Sequence, residues 1–208
     1  TMNSAVKQIG CKFVYSEVDT TDSSVNVKKS LNSLALARLL YKTYHTAGNG
    51  LPLGADMNEK FFKCIFIDSG LAMNMLGFKC YTEKEFMETV WTNKGAMAEQ
   101  LVGQLLLTRE VPHDAFVYYW QQIGSGSGNG EIDYLIAKDG EVLPIEVKSG
   151  ASGSMKSLHI FMESKGLSQA VRFDTNMPSL MNVDIKTSQG KPVKYKLLSL
   201  PLYMAELL

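Results

Sequence analysis

The stretch EIDYLIAKDGEVLPIEVKSG, residues 131–150, decides how this chain is read. Its centre is Asp139-Gly140, and a two-residue Asp-Gly loop is a strong hairpin signal because both central residues must adopt positive φ. Strands are therefore expected over 131–138 and 141–148. Lys138 then faces Glu141, and counting back from that pair sets Asp133 opposite Glu146 and Glu131 opposite Lys148. Alternation along each strand directs Asp133, Glu146 and Lys148 to one side. It directs Ile132, Tyr134, Ile136, Leu143, Ile145 and Val147 to the other. Pro144 has no N–H to give a ladder, so it belongs at an edge or a bulge, and a bulge there would shift this register.

Two facing carboxylates with β-carbons roughly 5 Å apart repel unless a positive group lies between them. Lys148, two residues along from Glu146, is one such group, and Glu131 could compete for it. A hard divalent cation is the other, since carboxylate oxygens suit Mg²⁺ or Mn²⁺. The plain alternative is a solvated, charged hairpin face.

Outward from the hairpin, helix and strand signals alternate. Val27, Leu31, Leu34 and Leu39 recur at helical spacing, which predicts an amphipathic helix over 24–44 capped by Ser23 or Ser24. Residues 61–67 read as a strand, with Asp68-Ser69-Gly70 opening a short helix through Leu76. Small helices followed by a strand fit a winged-helix module, or a plain helical support region. A longer helix is expected over 82–110, its apolar stripe formed by Ala98, Leu101, Val102, Leu105 and Leu106. Gly95 and Gly103 on that helix would permit close packing. An aromatic strand over 116–121 precedes the Gly-rich run 124–130, which reads as a connector. No Gly-Lys-Ser/Thr ending follows it, so this chain alone is not expected to hydrolyse ATP. After the hairpin, a helix over 154–165 and a strand over 170–173 imply a parallel crossover, and a further strand is expected near 194–198.

With 208 residues, 45% of them hydrophobic, the chain can bury a sizeable core, so a disordered or fibrous class is excluded. Lys plus Arg and Asp plus Glu both number 21, and this zero net charge argues against a constitutive coat of nucleic acid or anionic lipid. No apolar run is long enough to span a bilayer and no signal-peptide layout is present, so a cytoplasmic protein without a membrane partner is expected. Cys11, Cys64 and Cys80 lack metal-ligand spacing, as do His45, His113 and His159. Free thiols follow, and soft-metal or histidine chemistry does not.

Ile132-Asp133, twelve intervening residues, and Glu146-Val147-Lys148 resemble the PD-(D/E)xK signature of restriction-endonuclease-like proteins. More closely, the chain resembles the domain of unknown function 4143, which follows the P-loop module in many bacterial and archaeal AAA-type ATPases. The residues that carry this are Ile67 to Ala72, Gly95 to Glu99, Tyr118-Tyr119-Trp120, Glu131 to Asp133 and Pro144 to Gly150. The resemblance implies an α/β fold: a mixed sheet flanked by helices over 81–208, preceded by a helical or winged-helix-like region over 1–80. It implies Asp133 and Glu146 as ligands of Mg²⁺ or Mn²⁺, Lys148 as the catalytic lysine, and Glu99 completing the catalytic set. Ile132 replaces the usual proline. Lys156 is placed to hold a neighbouring phosphate, or is simply solvated. The start Thr1-Met2-Asn3 reads as a fragment from which the ATPase module is missing. Metal-dependent hydrolysis of nucleic-acid phosphodiesters is the implied activity. The alternative is a catalytically silent domain that binds nucleic acid or a partner and regulates the ATPase.

Overall fold

The computed structural model describes residues 1–18, 23–79, 82, 94–108, 116–122, 130–151 and 153–208. Cys80, His113, most of the Gly-rich run and the ends of the helix expected over 82–110 lie outside the described residues. The fold is α/β, built on one mixed eight-stranded sheet flanked by helices. Its strands are β1 (Leu40–Thr46), β2 (Met57–Phe66), β3 (Tyr118–Gln121), β4 (Glu131–Lys138), β5 (Glu141–Val147), β6 (Gln169–Asp174), β7 (Ser179–Lys186) and β8 (Pro192–Pro201). They run in the order β2-β1-β3-β4-β5-β6-β8-β7. The helices are α1 (Met2–Ala5), α2 (Ser24–Leu36), α3 (Ser69–Met75), α4 (Lys94–Thr108) and α5 (Lys156–Lys165).

The hairpin forms on its Asp-Gly loop, with φ of 51° at Asp139 and 81° at Gly140. Lys138 pairs with Glu141, and the register runs unbroken to Tyr134 opposite Ile145. Pro144 sits in register opposite Leu135, with no bulge in that ladder. β5 pairs with β6 in parallel, as the intervening α5 requires. A pair of strands, β7 and β8, forms where a single one is expected.

Two local expectations are corrected. The helix expected to reach Tyr44 ends at Leu36, and Arg38 at φ 56° turns the chain into β1. Leu36 is 86% exposed, so the apolar stripe has already ended there. The aromatic and β-branched residues from Tyr41 to Thr46 are better used between β2 and β3, where pairing on both sides outweighs helical periodicity. β1 and β2 thus join the same sheet as the hairpin, on the far side of residue 80.

The second correction concerns the hairpin faces, both of which are covered. Ala98, Val102 and Leu106 of α4 pack on Tyr134, Ile136, Ile145 and Val147. Leu158, Phe161 and Met162 of α5 pack on Ile132, Leu135 and Val142 from the other side. Ile132 therefore faces away from Tyr134, against simple alternation. The cause is a bulge: Tyr118 faces Leu135 while Trp120 faces Ile132, so β4 spends one extra residue at Asp133–Tyr134.

Gly103 explains how closely α4 approaches. A β-carbon there would lie 2.5 Å from the Tyr134 hydroxyl and 2.8 Å from Ile65 Cδ1, whereas one at Gly95 would meet nothing. Gly103→Ala is expected to destabilise the protein by about 1–2 kcal/mol in urea unfolding, overpacking outweighing the gain in helix propensity. A stability equal to or above wild type would show that the helix can back away.

Candidate active site

Two elements deliver three carboxylates to one place. Gln100 docks α4 by accepting from Phe66 N at 3.0 Å and donating to Phe66 O at 2.8 Å. Tyr134 Oη donates to Glu99 O at 2.8 Å, which fixes the turn carrying Glu99. β4 supplies Glu131 and, at the bulge, Asp133. Carboxylate oxygens of Glu99, Glu131 and Asp133 all lie within 4.8 Å of one another.

Beyond Tyr134 the ladder between β4 and β5 stops, and Asp133 does not pair with Glu146 through the backbone. Instead Asp133 Oδ2 accepts from Val147 N at 2.7 Å, so its carboxylate fills the gap between the strands. Glu146 is 5% exposed, and its Oε1 accepts from Lys148 Nζ. Its Oε2 is buried and has no hydrogen-bond partner among the described residues. Lys148 is half-buried and held at the backbone by Lys148 N to Phe173 O at 2.8 Å. Lys156 is exposed at the start of α5.

Two members were not foreseen from sequence: Glu131, read there only as a competitor for Lys148, and Lys63. Lys63 of β2 is 3% exposed and pairs with Glu99 Oε2 at 3.3 Å and with Glu131 Oε1. Glu131 therefore binds Lys63, not Lys148. The available signal was a single charge in the run Phe61-Phe62-Lys63-Cys64-Ile65-Phe66, where a buried lysine requires partners.

The electrostatics follow from burial and crowding. Burial, then the charge of Asp133, pushes the Glu99 carboxyl up to about 8 in spite of Lys63. Burial and Asp133 likewise push Glu146 up to about 7, with Lys148 opposing. Asp133 is raised by burial against the pull of Lys63, the Val147 N–H and Lys148. Lys63 is lowered by burial, but Glu99, Glu131 and Asp133 outweigh this and lift it well above the usual lysine range, so it stays charged.

A carboxyl raised on folding contributes stability that is complete below its unfolded value, near 4.3, and is lost as pH climbs through its folded value. In EDTA the melting temperature is expected to fall between about pH 5 and pH 8.5, most steeply below about pH 7, where both carboxyls are ionised in the unfolded chain and still protonated in the fold. A flat profile would mean that Glu99 and Glu146 ionise freely in the fold.

The donor set suits a hard divalent ion. Glu99, Glu131, Asp133 and Glu146 outnumber Lys63 and Lys148 by two charges when all are ionised, and Glu146 Oε2 has a free lone pair. Among the described residues no helix is long and apolar enough to cross a membrane. No curated protein and no solved structure matches the chain. Residues 1–81 match the family model described as Domain of unknown function (DUF8612). The hairpin, α4, and with them Glu99, Glu131, Asp133, Glu146 and Lys148, fall in residues 94–191, which match the family described as Domain of unknown function (DUF4143).

Proposed function

We propose that this chain is a restriction-endonuclease-like, metal-dependent nuclease domain that hydrolyses phosphodiesters of DNA or RNA, and that it works as the C-terminal part of an AAA-type ATPase. The observation that carries the reading is the crowding of four carboxyl groups against two lysines where β4 and β5 part, with Glu146 Oε2 buried and unbonded among the described residues. The resemblance around Ile132-Asp133 and Glu146-Val147-Lys148 supports the same assignment.

Asp133 and Glu146 would hold Mg²⁺ or Mn²⁺, with Glu99 beside them. When bound, such an ion lowers the pKa of a water and offsets charge on the scissile phosphate. Asp133 is kept in place by the Val147 N–H, so it needs little reorganisation to serve as a ligand. Lys148 leaves Glu146 and meets the negative charge that develops on the phosphate, or orients the attacking water. Lys156 lies on the helix that follows and would hold the next phosphate.

A second reading, a silent domain that binds nucleic acid or a partner, is favoured by one observation. The Lys63 ammonium already bridges Glu99 and Glu131. The test is a cleavage assay on mixed DNA and RNA with Mg²⁺, with Mn²⁺ and with EDTA. Metal-dependent cleavage supports the enzyme; its absence at high protein concentration overturns it in favour of binding alone.

A further inference from the structure

We propose that the ammonium of Lys63 is a resident counter-ion of the carboxylate cluster, so that a divalent cation enters only by competing with it. The inference rests on the metal-binding reading above and concerns a residue outside the segment that carries the other members. Lys63 comes from β2, within residues 1–81, whereas Glu99, Glu131 and Asp133 come from the segment 94–191.

The geometry shows what the lysine does. Its Nζ contacts Glu99 Oε2 and Glu131 Oε1, two of the three carboxylates whose oxygens lie within 4.8 Å of one another. It lies 5.3 Å from the centre of the Tyr119 ring, and its side chain is only 4% exposed. A cation held by two carboxylates against an aromatic face occupies the position that a ligated metal would neutralise. Lys148 plays no such part, because among the described residues its carboxylate partner is Glu146. Glu146 Oε2, buried without a hydrogen bond among the described residues and with Asp133 as the strongest charge acting on its carboxyl, is a separate sign that a further cation is wanted than the two lysines supply.

The competition has a sign. A unit positive charge a few ångströms from a divalent ion opposes its binding strongly at an effective dielectric near 20. Without Lys63, three crowded carboxylates have only protons or metal to relieve them. The chain would thus keep a folded, metal-free state by means of its own lysine and tune its metal affinity downward.

The experiment is calorimetric titration of Mn²⁺ into wild type, Lys63→Met and Lys63→Arg at pH 7.5, with Asp133→Asn added to each background to identify heat from this site. Lys63→Met should bind Mn²⁺ at least about tenfold more tightly, and Lys63→Arg, which keeps the charge, should stay within about threefold of wild type. Should Lys63→Met not fold without metal, Lys63→Gln is titrated in its place, since its uncharged amide still donates to the carboxylates. Binding by the neutral variant alone also supports the inference, and points to the silent reading for wild type. Equal affinities, or weaker binding by the neutral variant, overturn the role of Lys63 while leaving the metal reading intact. No Asp133-dependent binding by any of the proteins overturns both.

Discussion

Under the proposed nuclease reading, Lys148→Ala is expected to reduce metal-dependent cleavage by about 10² or more while nucleic-acid binding falls little, because the lysine would act on charge that exists only during reaction. The position is well prepared for that role. The backbone N–H of Lys148 is tied to Phe173 O, its side chain is 22% exposed, and its Nζ rests on Glu146 Oε1. A β-carbon on Gly153 would lie 2.6 Å from Lys148 Cδ, so the absence of a side chain there makes room for the lysine stem. Removing the ammonium also leaves Glu146 less compensated, so the variant must first melt near the wild-type temperature in the presence of metal. A folded variant that cleaves as fast as wild type would show that the activity belongs to another site. If wild type itself does not cleave, the same variant should weaken phosphate contact and lower the salt dependence of binding by about one ion.

How much of this was legible in the sequence depends on range. The hairpin was, because an Asp-Gly loop settles both conformation and register within a few residues, and positive φ at Asp139 and Gly140 follows from local sterics. So were the short helix opened at Asp68, whose carboxylate accepts from Leu71 N at 2.5 Å, and the aromatic strand before the hairpin. What escaped was set by pairing between distant segments. The bulge at Asp133 arises from β3, and it makes Ile132 and Tyr134 face opposite helices, a reversal that no two-residue alternation contains. The end of α2 at Leu36 is decided by two strands on either side of β1. Lys63 lies 36 residues before Glu99 and became meaningful only when β2 came under α4. The same long-range placement diverts Glu131 from Lys148, which alternation had set across from it. Of the site, Glu99, Asp133, Glu146 and the hairpin lysine were named one by one; the place of Glu131 in the cluster and the charge balance were not, because half of the positive charge comes from a strand with no chemical motif.

That balance makes Asp133→Asn an informative substitution, for it should stabilise the protein without metal while removing its response to metal. The amide is nearly isosteric with the carboxylate, and its oxygen can still accept from Val147 N, so the bond that holds the gap between β4 and β5 is preserved. Its NH₂ group turns a partial positive charge toward Glu99 and Glu131, whose carboxylates place oxygens within 4.8 Å of the Asp133 carboxylate. One of the two surplus negative charges disappears, and the burden that raises Glu99 and Glu146 is reduced, because Asp133 is the largest charged contributor to both. In EDTA at pH 8, Asp133→Asn is therefore expected to melt several degrees above wild type, equivalent to about 1–2 kcal/mol. Its fall in stability between pH 5 and pH 8.5 should be shallower. With saturating Mn²⁺ the order should reverse, as wild type gains from ligation and the variant does not. The measurement is a set of thermal melts of both proteins at three pH values with EDTA or Mn²⁺. A variant that melts below wild type in EDTA at pH 8 would mean that Asp133 is held chiefly by Lys63 and Lys148 as a structural anion; equal Mn²⁺ gains in the two proteins would mean that the ion binds elsewhere.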